Sequence, residues 1–381
     1  MANNLRERLK RIQSLKKTET APEKRKPEPV SSADLSSLTE NGWIPCGFKV
    51  FKREIYVVSP LESIKSMPLA LPVLVPDLAR RTYCNIKDFI FFDLETTGLS
   101  GGAGTTAFLA AFGRQLPNEK FCVTQYLLLD YPGENDFLEA VLKNFMDDQS
   151  IIVSYNGKCF DSQILKTRCL MNGIKPPEYF HADLLHPARR LWKRIIFDCS
   201  QSSIETKILG IDRSGDIPGS LAPDIWFEFL KTGGTDRLMG ICDHNLSDIT
   251  GLASIFCAMI TIADDPFAAV MYNYDIERLA IYWRGFLRQT ESGLQLTDIP
   301  DSFIITGNEL LRRAAEKDYP RAAYVYSFDQ MRKGNYNEAL EFARRGLKLF
   351  EVDSIWHEKL QRRIERLEKK IILQASDRSG P

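Results

Sequence analysis

The first side chains in the sequence that could take part in chemistry are a pair of carboxylates. Asp93 and Glu95 stand two residues apart at the end of the apolar run DFIFFDLE. In a β-strand such residues point to the same face, so both carboxylates would be aimed at one point. At about 4 Å and an effective dielectric of about 20, their repulsion is about 4 kcal/mol. A cation between them is expected, because the apolar flank FIFF argues against a solvated strand end.

A third carboxylate follows the next short apolar segment. Asp161 comes after SIIVSY and the turn Asn156–Gly157, where a helix is predicted to start. An acid in the first turn of a helix is also favoured by the helix dipole, which is the structural alternative. The carboxyl ends of strands, however, are where such sheets build their sites.

A fourth carboxylate lies on the edge of an apolar helical stripe. Asp248 is four residues before Leu252 and four residues after His244, so His244 and Asp248 share a helix face. A carboxylate directed at a core needs a partner. The alternative is a helix start at which Asn245 or Asp243 is the cap and His244 is solvated.

Together the four acids predict an oxygen-rich site for hard divalent cations, Mg²⁺ or Mn²⁺. Two such ions, about 3.5–4 Å apart, activate a water and stabilise the leaving oxygen in phosphodiester hydrolysis. His244 could accept the proton of that water. The chain has four histidines. We expect His181 and His186 to be structural, and Asp183 beside them to be a structural acid or cap.

The elements around these residues predict a mixed α/β fold. Three apolar runs at 88–95, 105–113 and 121–129 are joined by short links and indicate an antiparallel meander. Helical and strand segments then alternate, which gives the order β-β-β-α-β-α-β-α. The segment 200–262 is predicted to be helical apart from the loop DIPGSLAP. We therefore expect a mixed five-stranded sheet flanked by helices.

The C-terminal part predicts a separate helical region. GNYNEALEFARRGLKLF ends a helix-turn-helix unit that begins near Pro320 and resembles the second half of a tetratricopeptide repeat. One repeat cannot bury its own face, so flanking helices at 307–317 and 354–373 are expected to pack on it. The predicted organisation has four parts: a basic, flexible tail (1–34), an extension packed on the next domain (35–85), the α/β domain (86–264) and the helical region (265–381).

Composition limits the class of protein. The chain has 381 residues, of which 44% are hydrophobic and 26% charged, so collagen-like, wholly disordered and disulfide-scaffold classes are excluded. Lysine plus arginine and aspartate plus glutamate both number 50, so the net charge is zero. Nucleic-acid binding would therefore depend on local patches. The basic helix contains Arg189, Arg190, Lys193 and Arg194, and it is either a solvated face or a rim that contacts phosphate. The N-terminal tail is either a solvated segment or an arm that binds nucleic acid or a partner.

Cysteine usage and hydropathy predict a cytoplasmic protein. The eight cysteines form no CxxC pair, which signals neither a zinc ribbon nor a redox motif. Scattered thiols suit a reducing compartment. The N-terminus has no apolar core of a signal peptide, and the longest apolar stretch, 249–263, is judged too short to span a membrane.

Three segments in a fixed order resemble a known family. FFDLETTGL, NGKCFDSQIL and HNLSDI, after a β-meander, resemble the three exonuclease motifs of the DEDD superfamily, which has the ribonuclease H-like fold. The stretch DLLHPARRLWKR, followed by CSQSSIETKILGIDR and DIPG, is similar to the bacterial YprB-like subfamily. The resemblance covers about residues 85–262, and a repeat-like tail is also typical of such proteins.

The resemblance implies a role for each acid. Asp93 would bridge two metal ions, Glu95 and Asp248 would hold the ion that activates water, and Asp161 would hold the other ion. His244 would be the general base. In the histidine-type families, however, the base usually stands five residues before the last Asp, whereas His244 stands four before it, and position 243 is Asp.

The resemblance also implies substrate contacts. Thr96, Thr97 and Gly98 would offer hydroxyl and backbone groups to the terminal nucleotide, and Asn156 and Phe160 would line the same cleft. The Gly-rich stretch SGGAGTT lacks the lysine of a P-loop and is predicted to be a turn rather than a phosphate cradle.

The leading hypothesis is a metal-dependent 3′–5′ exonuclease that acts on single-stranded DNA or RNA. A second hypothesis is a weakly active or inactive nuclease-like scaffold that binds a protein partner through its helical repeats. A third is endonucleolytic cleavage of structured nucleic acid. No membrane partner is expected.

Overall fold

The computed structural model describes residues 34–81, 84–98, 104–117, 120–145, 147–291, 300–348 and 354–378. The predicted tail therefore lies outside the described residues except for Asp34. Most of the Gly-rich stretch SGGAGTT lies outside them as well.

Within these described ranges, seven strands form one mixed sheet in the spatial order β1-β2-β5-β4-β3-β6-β7. The strands are β1 Ile44–Gly47, β2 Val50–Val58, β3 Phe89–Thr96, β4 Ala107–Gln115, β5 Lys120–Leu128, β6 Ile151–Ser154 and β7 Phe180–Asp183. The central strand β3 pairs antiparallel with β4 and parallel with β6. The meander β3-β4-β5 and the mixed character of the sheet confirm the predicted fold class.

Thirteen α-helices lie in the described residues. They are α1 Asp34–Glu40, α2 Leu71–Leu74, α3 Glu134–Leu142, α4 Asp161–Met171, α5 Leu185–Trp192, α6 Gln201–Ile204, α7 Ala222–Thr232, α8 Asp236–Asp264, α9 Ile276–Glu291, α10 Asp301–Glu316, α11 Pro320–Arg332, α12 Tyr336–Arg345 and α13 Ser354–Arg378. A π-helical turn, Glu205–Leu209, continues α6.

The sheet has two strands more than the five expected. The five are β3 to β7, and β1 and β2 from the predicted extension continue the same sheet. Strand β2 runs antiparallel to β5 over nine residue pairs, from Val50 opposite Leu128 to Val58 opposite Lys120. Without it, β5 would present a row of unpaired backbone groups at an edge. The extension is therefore hydrogen-bonded into the sheet, not only packed against it.

Helix α8 is the long core helix that lies across the sheet. Its buried stripe includes Ile249, Leu252 and Phe256. The ring of Phe256 lies 4.8 Å from that of Phe89 and 5.7 Å from that of Phe91, both on β3. Because it holds both the predicted metal ligand Asp248 and this apolar stripe, α8 sets the distance between Asp248 and β3.

Helix α8 is longer than the apolar stretch seen in the sequence. It has 29 residues and is, among the described helices, the one long and apolar enough by length and composition to cross a membrane. However, 61% of its most apolar window is buried inside the protein. The prediction that this segment is too short to span a membrane is thus wrong. A helix buried in a protein core can have the same length and composition, and most of this window is buried.

The C-terminal helices share a core with the α/β part. One continuous cluster of buried side chains extends from Leu61 through β3 and α8 to Phe342 on α12. Helices α11 and α12 form the predicted helix-turn-helix, with Gly334 at φ 85° in the turn. An added Cβ at Gly346 would lie 2.8 Å from the Cβ of Ala323, so this glycine permits the close contact.

Candidate metal centre

The candidate centre lies at one edge of the sheet, where three elements meet. Asp93 and Glu95 are at the end of β3, and Asp161 is the first residue of α4, just after β6. Because β3 and β6 are parallel, their carboxyl ends lie at the same edge. Helix α8 brings His244 and Asp248 to that edge from the other side.

The three acids on β3 and α4 are close enough to repel one another. Burial and the nearby Asp248 carboxylate raise the pKa of Asp93 to about 7. Burial, followed by the charge of Asp93, raises the pKa of Glu95 and that of Asp161 well above their ordinary values. The side chains of Glu95 and Asp161 are both buried. Ionised together, these acids therefore require a cation.

Helix α8 supplies a histidine and a further carboxylate. Ligand atoms of Glu95, His244 and Asp248 all lie within 4.8 Å of one another. His244 Nε2 is 3.2 Å from Asp248 Oδ2, and its Nδ1 is 2.9 Å from Asp216 Oδ2. Burial acts to lower the pKa of His244, but the two carboxylates outweigh it and raise the pKa to about 9. The imidazole in this arrangement is a protonated donor to both.

The alternative of a helix start at Asn245 or Asp243 is wrong. Helix α8 begins at Asp236, so both residues lie in its interior. Asp243 pairs with Arg53 at 2.9 Å, on the outer side of the helix. Of the two neighbouring positions, His244 is thus the one that reaches the acid cluster.

Asn245 has a role that sequence reasoning missed. It is fully buried, and its Nδ2 donates to Asp93 Oδ2 at 2.8 Å. Its Oδ1 accepts from Gln125 Nε2 at 2.9 Å. The only sequence signal was an amide side chain on the buried side of α8, one residue after His244.

Arg213 was also missed, since it lies in the loop after the π-helical turn. Its Nη2 donates to Asp248 Oδ1 at 2.5 Å and lies 2.8 Å from Asp216 Oδ2. Its Nη1 lies 3.1 Å from Oε2 of the fully buried Glu205. One predicted metal ligand is therefore bound to an arginine here. By contrast, no described ion pair with lysine or arginine involves Asp93, Glu95 or Asp161.

The turn before α4 brings Asp161 close to the sheet. Asn156 adopts φ 65°, and its backbone N–H donates to Asp183 Oδ1 at 2.8 Å. Lys158 N also donates to Asp183, at 3.0 Å. An added Cβ at Gly157 would lie 2.5 Å from Ser154 Oγ and 2.9 Å from Asp161 Oδ2. Asp183 is thus a structural acid, as predicted.

The other predicted contact residues lie next to the acids along the chain, at the end of β3 and just before α4. The Thr96 hydroxyl donates to Gly98 O at 2.9 Å, and the Thr97 hydroxyl accepts from Thr106 N at 2.9 Å. These bonds shape the end of β3. Phe160 immediately precedes Asp161 and packs partly into the core. Their contact with a nucleotide stays a prediction.

Two further predictions concern groups around the centre. His181 is hydrogen-bonded to Ser154 Oγ at 2.7 Å, which confirms a structural role.

In the basic helix α5, the guanidinium of Arg190 lies 4.7 Å from the ring centre of Tyr282 on α9. Arg194, just after α5, is 2.6 Å from Glu277. These two arginines thus join α5 to α9 rather than form a free basic face.

Comparison with known proteins finds relatives of the part of the chain that holds the candidate centre. The RNase_H superfamily profile matches residues 90–260. The chain is similar to the uncharacterized protein YprB of Bacillus subtilis (strain 168), with 42% identity over 180 residues. That alignment covers 46% of this chain and 42% of YprB, so the match spans less than half of either. A family B DNA polymerase from the hyperthermophilic archaeon Pyrobaculum calidifontis matches with a TM-score of 0.33 and 13% identity, over 51% of this chain and 28% of the polymerase chain. Residues 90–260 are thus similar in sequence to the RNase H superfamily.

Proposed function

We propose that this protein is a divalent-metal-dependent 3′–5′ exonuclease that hydrolyses single-stranded DNA or RNA in the cytoplasm and releases nucleoside monophosphates. The observation that carries the proposal is the cluster of carboxylates Asp93, Glu95 and Asp161, of which Asp93 is half-buried and the other two are buried. Burying ionised carboxylates without a counter-charge is costly. No described lysine or arginine pairs with these three, so we propose that a bound cation compensates their charge.

The donor set fits magnesium or manganese. Carboxylate oxygens are the ligands that these hard cations prefer. Burial first, and then repulsion between neighbouring carboxylates, raises the pKa of Asp93, Glu95 and Asp161, as expected for acids with no cation between them. We assign Asp93, Glu95, Asp161 and Asp248 as the groups that hold two ions. When bound, such ions supply an activated water and stabilise the leaving oxygen.

The other residues would bind the nucleic-acid strand and accept the proton of the attacking water. His244 is the candidate base, but in the present arrangement it is a donor between Asp216 and Asp248. It could accept a proton only after losing one, which requires that the charge on these carboxylates be reduced. Thr96, Thr97, Gly98, Asn156 and Phe160 would contact the terminal nucleotide.

The test is cleavage of a labelled single strand by the full chain. We expect Mg²⁺ or Mn²⁺ to support cleavage, and Asp93→Ala with Glu95→Ala to abolish it. Asp147→Asn is the control, because this exposed acid precedes β6 at the opposite end of the strand from Asp161. Equal activity of the wild type and the double variant would refute the proposal. A circular substrate separates an exonuclease, which cannot cut it, from an endonuclease.

Two observations favour a second candidate, a weakly active scaffold with a protein-docking helical region. Arg213 is bound to Asp248, which weakens the case for a metal there. Helices α11 and α12 form a helix-turn-helix, which is the arrangement that the predicted tetratricopeptide-like region requires. Calorimetry with Mn²⁺ distinguishes the candidates, since a scaffold would bind no ion at the carboxylates.

A further inference from the structure

Three buried polar side chains connect the N-terminal strand β2 to Asp93. They are Arg53 on β2, Gln125 on β5 and Asn245 on α8, and we call them the amide relay. We propose that Arg53 is a positioning residue of the metal centre, because through the relay it orients Asn245 to donate to Asp93. The inference rests on the proposed function, in which Asp93 is a metal ligand.

Arg53 determines which way the amide of Gln125 points. A guanidinium has only donors, and Arg53 Nε donates to Gln125 Oε1 at 2.6 Å. Gln125 Nε2 must then face the other way, where it donates to Cys242 O at 2.7 Å. A carbonyl oxygen only accepts, so the far side of Gln125 independently requires the same orientation.

Gln125 in turn determines the orientation of Asn245. Since Gln125 Nε2 donates to Asn245 Oδ1 at 2.9 Å, the amide nitrogen of Asn245 must face Asp93 Oδ2. Reversing Asn245 would place acceptor against acceptor at one end and donor against donor at the other. Gln125 and Asn245 have no exposed surface, so water could not relieve such a mismatch. An unsatisfied buried polar group costs about 1–3 kcal/mol.

The relay begins in the segment predicted to be an extension of the α/β domain. Arg53 is itself fixed, since its guanidinium lies 4.8 Å from the ring centre of Trp43 and 2.9 Å from Asp243 Oδ1. The far end of the relay holds one oxygen of Asp93 in place. Partners that orient a metal ligand in this way affect metal affinity by about 10–100-fold.

The experiment measures Mn²⁺ affinity by calorimetry on the full chain. We expect Arg53→Met to weaken Mn²⁺ binding about tenfold or more, because the buried Oε1 of Gln125 then has no donor and only the bond to Cys242 O still orients the amide. Gln125→Glu should weaken it similarly, since it keeps the bond to Arg53 but presents an acceptor to Asn245. Arg53→Lys retains a donor and should stay within about threefold of the wild type. Asp264→Asn is the matched control, because it changes an exposed acid of the same helix α8, about five turns away from Asn245.

A second measurement is independent of metal. Hydrogen exchange of the ¹⁵N-labelled Asn245 side-chain amide should be faster in Arg53→Met than in Arg53→Lys, with folding checked by thermal denaturation. Wild-type affinity and unchanged exchange in folded Arg53→Met would overturn the inference. If Arg53→Met does not fold, Gln125→Glu decides by the same two readouts. If the wild type binds no Mn²⁺, the proposed function fails, and the exchange rates alone decide the relay.

Discussion

At the scale of single residues, two possible partners compete for the carboxylate of Asp248. It is a predicted metal ligand, and it accepts a hydrogen bond from Arg213, whose other nitrogen is beside the buried Glu205. A guanidinium and a divalent ion repel each other strongly at a separation of about 4 Å. Arg213 must therefore lower the affinity of the centre for an ion at Asp248.

Replacing Arg213 should increase metal affinity. We expect folded Arg213→Gln to bind Mn²⁺ about tenfold more tightly than the wild type, because the competing charge is gone. Its metal-free form should melt earlier, since Glu205 and Asp248 lose a partner. The matched control is Arg284→Gln, which breaks the pair with Asp329 between α9 and α11 and should leave Mn²⁺ affinity unchanged. Equal or weaker Mn²⁺ binding by Arg213→Gln would contradict the prediction.

The titrating groups of the centre predict how stability depends on pH without metal. The pKa of Asp93 rises from 3.8 to about 7 on folding, so between these values the folded state holds a proton that the unfolded state has lost. The free energy of unfolding should therefore fall as pH rises from about 4 to about 7, at up to about 1.4 kcal/mol per pH unit. The pKa of His244 rises from 6.5 to about 9, so its contribution is full below 6.5 and is lost as pH rises through about 9.

Urea denaturation in EDTA at a series of pH values measures this effect. Asp93→Asn should show a shallower decline than the wild type between pH 4 and pH 7, and the two should differ little in slope above it. Parallel curves for the two proteins over that lower range would show that Asp93 does not titrate as described.

At the scale of elements, the tight turn between β6 and α4 determines where Asp161 lies. Gly157 has no room for a side chain, because an added Cβ would be 2.5 Å from Ser154 Oγ. We expect Gly157→Ala to cost about 1–3 kcal/mol of stability through this overpacking. It should also weaken Mn²⁺ binding, since the added Cβ would be 2.9 Å from Asp161 Oδ2.

Gly285→Ala is the control for the turn. Gly285 lies inside α9, and an added Cβ there meets no atom within 4 Å. Its higher helix propensity should stabilise the protein by up to about 1 kcal/mol and leave metal binding unchanged. A Gly157→Ala protein that matches the wild type in both stability and Mn²⁺ affinity would show that the turn does not control Asp161.

At the scale of the whole molecule, the shared core predicts one unfolding transition. Trp283 on α9 has 2% of its surface exposed, and its Nε1 donates to Phe303 O at 3.0 Å. Both residues belong to the cluster that includes Phe89 and Phe91 on β3. Trp283→Ala should cost about 3–5 kcal/mol. We expect fluorescence and far-UV circular dichroism to report the same shifted transition in denaturant, whereas two separate transitions would show that the helical region unfolds independently.

The strands and their order along the chain were accessible to sequence reasoning because their signals are local. The apolar runs that became β3, β4 and β5 have the length and composition of buried strands. Strand β2 was recognised as extended, but its pairing with β5 was not predicted. The nine residues of β2 carry no local signal that shows which distant strand will pair with β2.

The sequence by itself determined that Asp93 and Glu95 share a face, that Asp161 starts a helix and that His244 and Asp248 lie one turn apart. These relations follow from the repeat of two residues in a strand and of 3.6 in a helix. Only the tertiary structure decided that Asn245 meets Asp93, 152 positions away, and that Arg213 meets Asp248 from an irregular loop. Such contacts depend on how whole elements pack, and no local periodicity encodes the distance between elements that are far apart in the chain.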